Sequence, residues 1–259
     1  MNVVNQTTLN PLGRPTGAVM PFVPQIVMIA IFGIVAAAFM VWATRQAFGK
    51  GDHRPLILFG AGITAVLLEG FACFLMQCYH SPVGQYTVYS AFDVDVPLWL
   101  AEVYILFFGM TVFLMVERFS RPFSLVTFWG IFALIGIAEA AFEMYGIHVG
   151  MFRYYGAQPL PLLGFPFYLA FVNGAQAVIF TAVVALWFRF TQGAIRYLLI
   201  PLTPIFLWGV YAALVTPFAA GLRSAVPDFA VAGSLVATAE ALALSSLAFW
   251  TLKRLQASR

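Results

Sequence analysis

Apolar residues occur in seven long runs along this chain, and most polar residues fall in the stretches between them. An α-helix rises 1.5 Å per residue, so about 20 apolar residues cross the roughly 30 Å hydrocarbon core of a bilayer. The pattern therefore predicts seven membrane-spanning helices. The predicted spans are 22–43, 55–78, 97–116, 122–145, 165–189, 197–219 and 229–250.

The polar stretches at the two ends set the domain organisation. Residues 1–21 are polar and rich in Pro and Gly, which predicts a flexible arm. This segment lacks the basic region and the cleavage pattern of a secretory signal, so we expect the first span to be retained. The seven-helix domain is predicted over 22–252, and a short cytoplasmic tail over 253–259.

The composition agrees with this pattern. The chain is 62% hydrophobic and 9% charged, whereas soluble domains carry about 25% charged residues. The fold class is therefore predicted to be an all-α polytopic membrane protein. Because the net charge is only +3 and no basic patch stands out, we expect membrane lipids and no nucleic acid as partners. The oligomeric state is left open.

The basic residues are divided unevenly between the two sets of connections. Cytoplasmic loops are enriched in Lys and Arg, so the N-terminus is predicted outside and the C-terminus in the cytoplasm, which requires an odd number of spans. Ten of the thirteen Lys and Arg belong to the predicted cytoplasmic set: Arg45, Lys50, Arg54, Arg118, Arg121, Arg189, Arg196, Lys253, Arg254 and Arg259. The outer set holds Arg14, Arg153 and Arg223.

Two long connections on the predicted outer side, 79–96 and 146–164, are rich in aromatic residues, Gly and Pro. Loops of such length in compact proteins are frequently functional. We interpret them as a structured cap, and the alternative is an aromatic belt at the membrane interface. His80 and Tyr155 in these loops are candidate substrate-binding residues.

Two segments of the chain resemble each other. "PLWLAEVY" (97–104) and "PFYLAFVN" (166–173) align without a gap, and each follows a span with a glutamate and a long outer loop. This predicts a parallel repeat of helix pairs, formed by spans 2–3 and spans 4–5. Glu139 is then the counterpart of Glu69.

Acidic residues occur inside the predicted spans, where they are costly. A carboxylate at the bilayer centre costs about 2.5–3.5 kcal/mol on insertion scales, so such groups face the bundle interior and commonly serve a function. The predicted orientation places four of them in the outer half of the membrane: Glu69, Glu102, Glu139 and Glu143. Glu240 is predicted near mid-depth.

We predict that the outer-half acids form a site. Glu139 and Glu143 are four residues apart, share a helix face and repel each other when both are ionised, so we expect them to share a proton. A protonated carboxyl in an apolar pocket is a general acid, and its ionised neighbour is a base. The predicted catalytic residues are Glu69, Glu139 and Glu143. The alternative is that these acids only join helices by hydrogen bonds.

Further polar and aromatic residues are predicted to surround a hydrophobic substrate. Aromatic rings stabilise cations, including carbocations, by cation–π attraction. The predicted substrate-binding residues are Glu102, Tyr104, Trp99, Asn173, Gln176, Tyr168, Tyr155, His80 and Glu240. Other aromatic residues expected near the acids are Phe71, Phe142 and Tyr145.

The positions of the lysines and cysteines limit the chemistry that the chain can carry out. The lysines, Lys50 and Lys253, stand at span ends, so a retinal Schiff base inside the bundle is excluded. Cys73 and Cys78 are predicted on different faces of one helix, as small core residues. No metal-ligand spacing is evident, so neither a metal nor another cofactor is predicted.

Parts of the sequence resemble known families. "GMFRYYGAQPLPLLGFPFYLAFVN" (150–173), with "EMYG" (143–146) and "CYHSPVGQ" (78–85), resembles a family of bacterial seven-span membrane proteins over about residues 65–180. This resemblance implies a bacterial inner (plasma) membrane location. No particular chemistry follows from it.

More loosely, seven spans with outer-half acids resemble the integral-membrane terpene cyclases of meroterpenoid pathways. Those enzymes protonate an alkene or epoxide with buried carboxylates and need no metal. The resemblance implies that Glu69 and one of Glu139, Glu143 or Glu240 form the acid pair. An aromatic pocket with acids, and Asn173 in a helix that begins with proline, also resembles the sterol isomerase family.

Three functions remain open from the sequence. The first is a membrane enzyme that cyclises or isomerises an isoprenoid or other lipid by proton transfer. The second is a proton-coupled transporter of a small hydrophobic solute, because intramembrane acids also form proton relays. The third is a non-catalytic protein that binds a carotenoid or another lipid.

Overall fold

Seven long helices make up most of the structure. The computed structural model of the chain describes residues 14, 16–224, 226 and 228–258. Within this part, seven helices are long and apolar enough to cross a membrane, which confirms the predicted number. They are α1 (Phe22–Lys50), α2 (Arg54–Met76), α3 (Leu98–Phe119), α4 (Leu125–His148), α5 (Tyr168–Phe190), α6 (Gly193–Leu222) and α7 (Asp228–Ala257). The chain therefore has the all-α architecture of an integral, polytopic membrane protein.

Local signals determine where the helices begin and end. α1 continues to Lys50 and stops where Gly51 takes the left-handed conformation, with φ of 69°. α4 begins after Ser124, whose side-chain oxygen accepts a hydrogen bond of 3.1 Å from the backbone N–H of Thr127. α2 ends two residues earlier than predicted, because Gln77 is left-handed, with φ of 52°.

Helices α2 and α5 are the most buried, and α1 is the least buried. α1 packs on α2 and α3, whereas α6 and α7 pack against each other and against α5. α4 packs mainly on α5, where Gly136 lies against the backbone of Ala170 and Gly174 lies against the carbonyl of Phe132. Small residues therefore set the close approach of α4 and α5, as is common between membrane helices.

The α2–α3 pair contains two departures from regular α-helix. α2 includes a 3₁₀ turn at Val66–Leu68, and α3 includes a π-helical segment at Ile105–Thr111. The helices approach closely where Gly62 meets the backbone of Ile105 and where Gly109 meets the carbonyl of Leu58. π-helical turns are rare and are frequent at functional sites.

Two loop segments at one end of the bundle form a structured cap, which confirms the prediction for these loops. We call residues 77–97 and 149–167 the cap. β1 pairs with β4 in antiparallel fashion, so that Cys78 lies opposite Tyr154 and His80 lies opposite Phe152. Two further antiparallel pairs, β2–β3 and β5–β6, complete the cap. Its strands are β1 (Cys78–His80), β2 (Thr87–Ala91), β3 (Val94–Pro97), β4 (Phe152–Tyr154), β5 (Pro161–Leu162) and β6 (Phe165–Pro166).

The predicted N-terminal arm lies largely outside the described residues. Its described part contacts the cap: Met20 is buried, and its backbone N–H donates a hydrogen bond of 2.8 Å to the carbonyl of Val83. Val19 forms an isolated β-bridge with Val83. Arg14 is also buried and donates a hydrogen bond of 3.3 Å to the carbonyl of Phe92.

The end of the bundle opposite the cap, here called the basic end, is held by charged residues. Arg54 pairs with Asp52 at 2.8 Å and with Glu117 at 2.7 Å. Lys253 donates a hydrogen bond of 2.8 Å to the carbonyl of Phe123, which joins α7 to the connection before α4. The direction in which the bundle crosses the membrane, and the internal repeat, stay predictions.

Candidate functional site

A polar cavity lies inside the bundle at its cap end. Its volume is about 100 Å³, and its walls come from α2, α3, α4, α5, α6 and strands β1 and β4. Aromatic and aliphatic side chains form most of the wall, and polar groups project from several helices. The polar lining residues are Glu69, Cys73, Cys78, His80, Tyr104, Glu139, Glu143, Tyr154, Asn173, Gln176 and Tyr211.

Glu69 of α2 is the most heavily hydrogen-bonded acid in this cavity. One carboxylate oxygen accepts a hydrogen bond of 3.0 Å from the thiol of Cys73 and lies 2.7 Å from Nε2 of His80. The other oxygen accepts a hydrogen bond of 2.7 Å from the hydroxyl of Tyr104. Residues four apart share a helix face, which explains why Glu69 and Cys73 meet.

His80 reaches this group from the cap. Burial disfavours its imidazolium, but the thiol of Cys73 and the carboxylate of Glu69 raise the pKa of His80 above its ordinary value. The side chain of His80 is 3% exposed and that of Glu69 is 12% exposed, so the pair is almost fully desolvated. A buried charge of either sign is costly without a partner of opposite charge. Glu69 and His80 are such partners for each other.

Glu143 of α4 has a separate set of partners. Its carboxylate accepts one hydrogen bond from the hydroxyl of Tyr154 and another, of 3.2 Å, from the side-chain amide of Asn173. Burial, reinforced by the charge of Glu143, raises the pKa of the Tyr154 hydroxyl well above its ordinary value. That hydroxyl therefore remains a hydrogen-bond donor at neutral pH.

Several polar groups in the cavity have no hydrogen-bond partner among the described residues. The carboxyl group of Glu139 forms no such bond, although it lines the cavity one helical turn before Glu143. The side-chain nitrogens of Gln176 and Trp99 and Nδ1 of His80 are also buried without a partner. Buried polar groups are normally satisfied, so these groups are available to a bound molecule.

Aromatic rings form one continuous wall of the cavity. Trp99 is 1% exposed and packs against His80, Phe142 and Phe152, with ring centroids 5.8, 6.1 and 6.3 Å away. Ring faces of this kind favour a positive charge on a bound molecule. The cavity therefore combines carboxyl groups with an aromatic wall.

Eight of the predicted site residues line this single cavity. All three predicted catalytic acids, Glu69, Glu139 and Glu143, are among them, and they come from two different helices. The others are Trp99, Tyr104, Asn173, Gln176 and His80.

Four predicted site residues lie away from the cavity. Glu102 lies against Gly33 of α1, and Glu240 is on α7 with one buried carboxylate oxygen that has no hydrogen-bond partner. Tyr168 points its hydroxyl at the sulfur of Met76, 3.3 Å away. Tyr155 packs its ring against Tyr79 of the cap, with 6.2 Å between centroids.

The aromatic residues expected near the acids divide in the same way. Phe142 lines the cavity, whereas Phe71 stacks on Trp208 and Tyr145 is exposed on the surface of α4.

Sequence reasoning missed four polar residues of the cavity. Tyr154 and Tyr211 line it from β4 and α6, and Cys73 and Cys78 line it beside Glu69. The four-residue spacing of Glu69 and Cys73 was a usable signal. The prediction that both cysteines lie on one helix was wrong, because Gln77 ends α2 and places Cys78 in β1. Both cysteines are free thiols.

One group in the cavity has the residue types of a metal site. Ligand atoms of Glu69, Cys73 and His80 all lie within 4.8 Å of one another. The sequence pattern gave no such indication, because His80 is brought to the helix only by the turn at Gln77.

Models of protein families do not match this chain, and no curated protein or solved structure matches it.

Proposed function

We propose that this protein is a membrane-embedded enzyme that isomerises or cyclises an isoprenoid or related lipid by proton transfer. The observation that carries the proposal is the pairing of an unbonded carboxyl group, Glu139, with a fully hydrogen-bonded one, Glu143, in the same cavity. Two carboxyl groups in different environments are the arrangement that separates an acid from a base.

The size of the cavity limits what enters it. A dry engineered cavity of about 150 Å³ binds benzene, so about 100 Å³ accommodates a group of roughly one isoprene unit. The reacting end of the lipid therefore enters the cavity, and its tail lies along the apolar surface of the helices.

The unpartnered donors support a substrate that carries oxygen. The side-chain nitrogens of Gln176 and Trp99 both lack an acceptor, and a hydroxyl, epoxide or carbonyl oxygen would satisfy them. We therefore favour an oxygenated isoprenoid over a pure hydrocarbon.

Glu139 begins the proposed reaction as the proton donor. Its proton and the electron pair of a carbon–carbon double bond form a new C–H bond, which leaves positive charge on the neighbouring carbon. The ring of Trp99 and the ionised carboxylates nearby stabilise that charge. A cyclisation would need a second double bond of the same lipid to attack the cation and form a C–C bond, so the small cavity favours isomerisation.

Glu143 ends the reaction as the base. It removes a proton from a carbon next to the cation, and the electrons of that C–H bond form the new double bond. The product has the same composition as the substrate. Between turnovers the two carboxyl groups exchange protons with solvent, which removes the proton from Glu143 and restores the one on Glu139.

The proposed orientation puts the cavity in the outer half of a bacterial inner membrane. The basic end carries most of the Lys and Arg, and such an excess marks the cytoplasmic side. A lipid would then reach the cavity from the outer leaflet.

The proposal is tested with protein reconstituted in lipid nanodiscs and a panel of defined lipids: a linear polyprenol, an epoxidised prenylated phenol and a linear carotene. Products are identified by chromatography and mass spectrometry. We expect the wild type to convert a panel member to an isomer, and Glu139→Gln and Glu143→Gln to lower the rate at least about 100-fold. Glu102→Gln and Glu240→Gln, which change acids outside the cavity, serve as matched controls and retain activity.

Two results would contradict the proposal that this protein is an enzyme. One is that panel lipids bind to the wild type but none is converted. The other is that Glu139→Gln and Glu143→Gln retain full turnover of a lipid that the wild type converts. Binding without conversion would instead favour the carotenoid- or lipid-binding function.

A second candidate is a proton-coupled carrier for a small hydrophobic solute. It is favoured by the irregular turns at Val66–Leu68 and Ile105–Thr111, because transporters break their helices near their binding sites. Uptake of labelled lipid into liposomes, driven by a pH gradient and lost in Glu139→Gln, would support it. An unchanged lipid distribution would exclude it.

A further inference from the structure

Three potential metal-ligand atoms meet at one wall of the cavity. Oε1 of Glu69 lies 2.7 Å from Nε2 of His80 and 3.0 Å from Sγ of Cys73. The distance from Sγ of Cys73 to Nε2 of His80 is 3.7 Å. Each of the three side chains therefore directs one ligand atom at a common point.

These distances are close to those of a tetrahedral zinc site. Bonds of about 2.0–2.1 Å to nitrogen and oxygen and about 2.3 Å to sulfur place neighbouring ligand atoms about 3.3–3.6 Å apart. A small outward movement of His80 from Glu69 would make room for the ion.

The cluster is buried, and a hydrogen bond orients one of its three ligands, whereas Nδ1 of His80 has no partner among the described residues. Cys73 and His80 are 2% and 5% exposed. The second oxygen of Glu69 is held by the hydroxyl of Tyr104, and such outer hydrogen bonds fix the direction of a ligand. The thiol of Cys78 adjoins that of Cys73, and the cavity lies in front of the three ligand atoms.

The charges and the ligand types agree with one ion. A thiolate, a carboxylate and a neutral imidazole carry two negative charges, which neutralise a divalent cation in a medium where net charge is costly. Thiolate and imidazole ligands favour zinc over magnesium or calcium.

We propose that Glu69, Cys73 and His80 bind a zinc ion, with a fourth coordination position that faces the cavity. Three protein ligands and an open position are the arrangement of catalytic rather than structural zinc sites. This inference does not rest on the proposed proton transfer, because Glu139 and Glu143 are not among the ligands.

The test uses metal binding alone, without any lipid substrate. Full-length protein is purified in detergent without chelator, and its zinc content is measured by plasma mass spectrometry. The metal is then removed with a chelator and the protein is titrated with Co²⁺, whose absorption reports thiolate coordination. We expect about one zinc per chain and a thiolate-to-cobalt band that reaches its maximum at one equivalent.

Substitutions identify the ligands. Cys73→Ser should abolish the thiolate band, and His80→Gln should weaken Co²⁺ binding at least about 100-fold. Tyr104→Phe, which removes only the outer hydrogen bond, should weaken it by about 10–100-fold. Cys78→Ser should keep the band, and its loss would overturn the open fourth position. Glu139→Gln should bind Co²⁺ as the wild type does.

Two outcomes would overturn the zinc site. The first is wild-type protein that gives no thiolate-to-cobalt band while its thermal unfolding shows that it is folded. The second is a band that persists in Cys73→Ser. The wild-type result does not depend on the folding of any variant, and neither outcome bears on lipid conversion by Glu139 and Glu143.

Discussion

The hydroxyl of Tyr154, on a strand of the cap, donates a hydrogen bond to the carboxylate of Glu143 inside the bundle. This contact joins a loop segment to the helix that carries two of the three predicted catalytic acids. The cap therefore takes part in the candidate site, because it supplies Tyr154 to one acid and His80 to another.

Removal of this hydroxyl should destabilise the protein. In Tyr154→Phe the buried oxygen of Glu143 loses its donor, which should lower the free energy of unfolding by about 1–3 kcal/mol. Tyr155→Phe changes the next residue, which does not line the cavity, and should stay within about 0.5 kcal/mol of the wild type. Unfolding in mixed micelles by added SDS measures both values, and equal stability of the two variants would contradict the assigned role of Tyr154.

Substitution by leucine should affect the free energy of unfolding differently at Gln25 and at Gln176. Gln25 is fully buried, donates a hydrogen bond of 3.1 Å to the carbonyl of Gly84 and accepts one of 2.8 Å from the N–H of Tyr86. Gln25→Leu should therefore cost about 1–3 kcal/mol of unfolding free energy. Gln176→Leu removes an unpartnered nitrogen and should leave stability unchanged or increased.

The same Gln176→Leu protein should bind oxygenated lipids less well, because a donor for their oxygen is gone. Binding of the epoxidised prenylated phenol and of the linear carotene, followed by quenching of tryptophan fluorescence, measures this difference. A loss of stability in Gln176→Leu would show a structural role for Gln176, and binding of both lipids as in the wild type would contradict its role in lipid recognition.

Two glycines on α4 should differ in their tolerance of a methyl group. A Cβ at Gly136 would meet the backbone of Ala170, whereas a Cβ at Gly130 would meet nothing within 4 Å. Gly136→Ala should therefore push α4 from α5 and cost about 1–3 kcal/mol. Gly130→Ala should be neutral or stabilising by up to about 1 kcal/mol, because alanine favours helix.

Because α4 carries Glu139 and Glu143, Gly136→Ala should also displace these acids and lower turnover of any converted lipid. Gly130→Ala should leave turnover unchanged. Thermal unfolding and lipid conversion are measured on the same preparations, and a Gly136→Ala protein as stable as Gly130→Ala would contradict the close helix contact.

Stability should depend on pH through Asp52 at the basic end. The hydrogen bonds from Arg54 outweigh the effect of burial and lower the pKa of Asp52 below its ordinary value of 3.8. A lowered folded-state pKa contributes stability that is present above pH 3.8 and is lost as the pH falls through the folded value. The pair is partly exposed, so the contribution is at most about 1 kcal/mol.

Asp52→Asn should therefore be less stable than the wild type at pH 7 and should lose that difference in acid. Asp93→Asn, at an exposed position of the cap, is the control and should match the wild type at both pH values. Unfolding by SDS from pH 3 to 7 gives the comparison. A constant difference for Asp52→Asn across this range would contradict the assigned linkage.

The number of helices followed from the sequence because apolar length alone decides which segments cross a bilayer. The face shared by Glu139 and Glu143 also followed, because helical spacing is fixed. The meeting of these acids with Glu69 required an inference about depth, which depended on the predicted orientation of the chain.

Other parts of the site depend on the loops, where the chain has no periodicity to read. The left-handed turn at Gln77 ends α2 and carries Cys78 and His80 back toward Glu69. Glutamine is not a residue that marks such a turn, since glycine and asparagine dominate left-handed positions. The position of Tyr154 likewise comes from the pairing of β1 with β4, two strands that are distant in sequence.

The position of Glu102 outside the cavity shows that depth in the membrane does not determine which acids line the cavity. Glu102 was predicted at the same depth as Glu69, but it lies beside Gly33 of α1, on a part of α3 that does not line the cavity. The depth of a residue in the membrane follows from its position along a helix. Whether its side chain faces the cavity depends on how the helices pack around one another. The sequence predicted α2 as a partner of α3 but offered no evidence about its other neighbours.

The most direct test of the central claim is the incorporation of deuterium from solvent. The reconstituted protein is supplied with the lipid panel in D₂O buffer, and the products are analysed by mass spectrometry after exchangeable hydrogens are washed out. If Glu139 donates a proton to carbon, the product of the wild type and of Glu102→Gln gains one non-exchangeable deuterium, and Glu139→Gln gives none above background. A product that forms without deuterium, or equal incorporation by Glu139→Gln, would contradict the account.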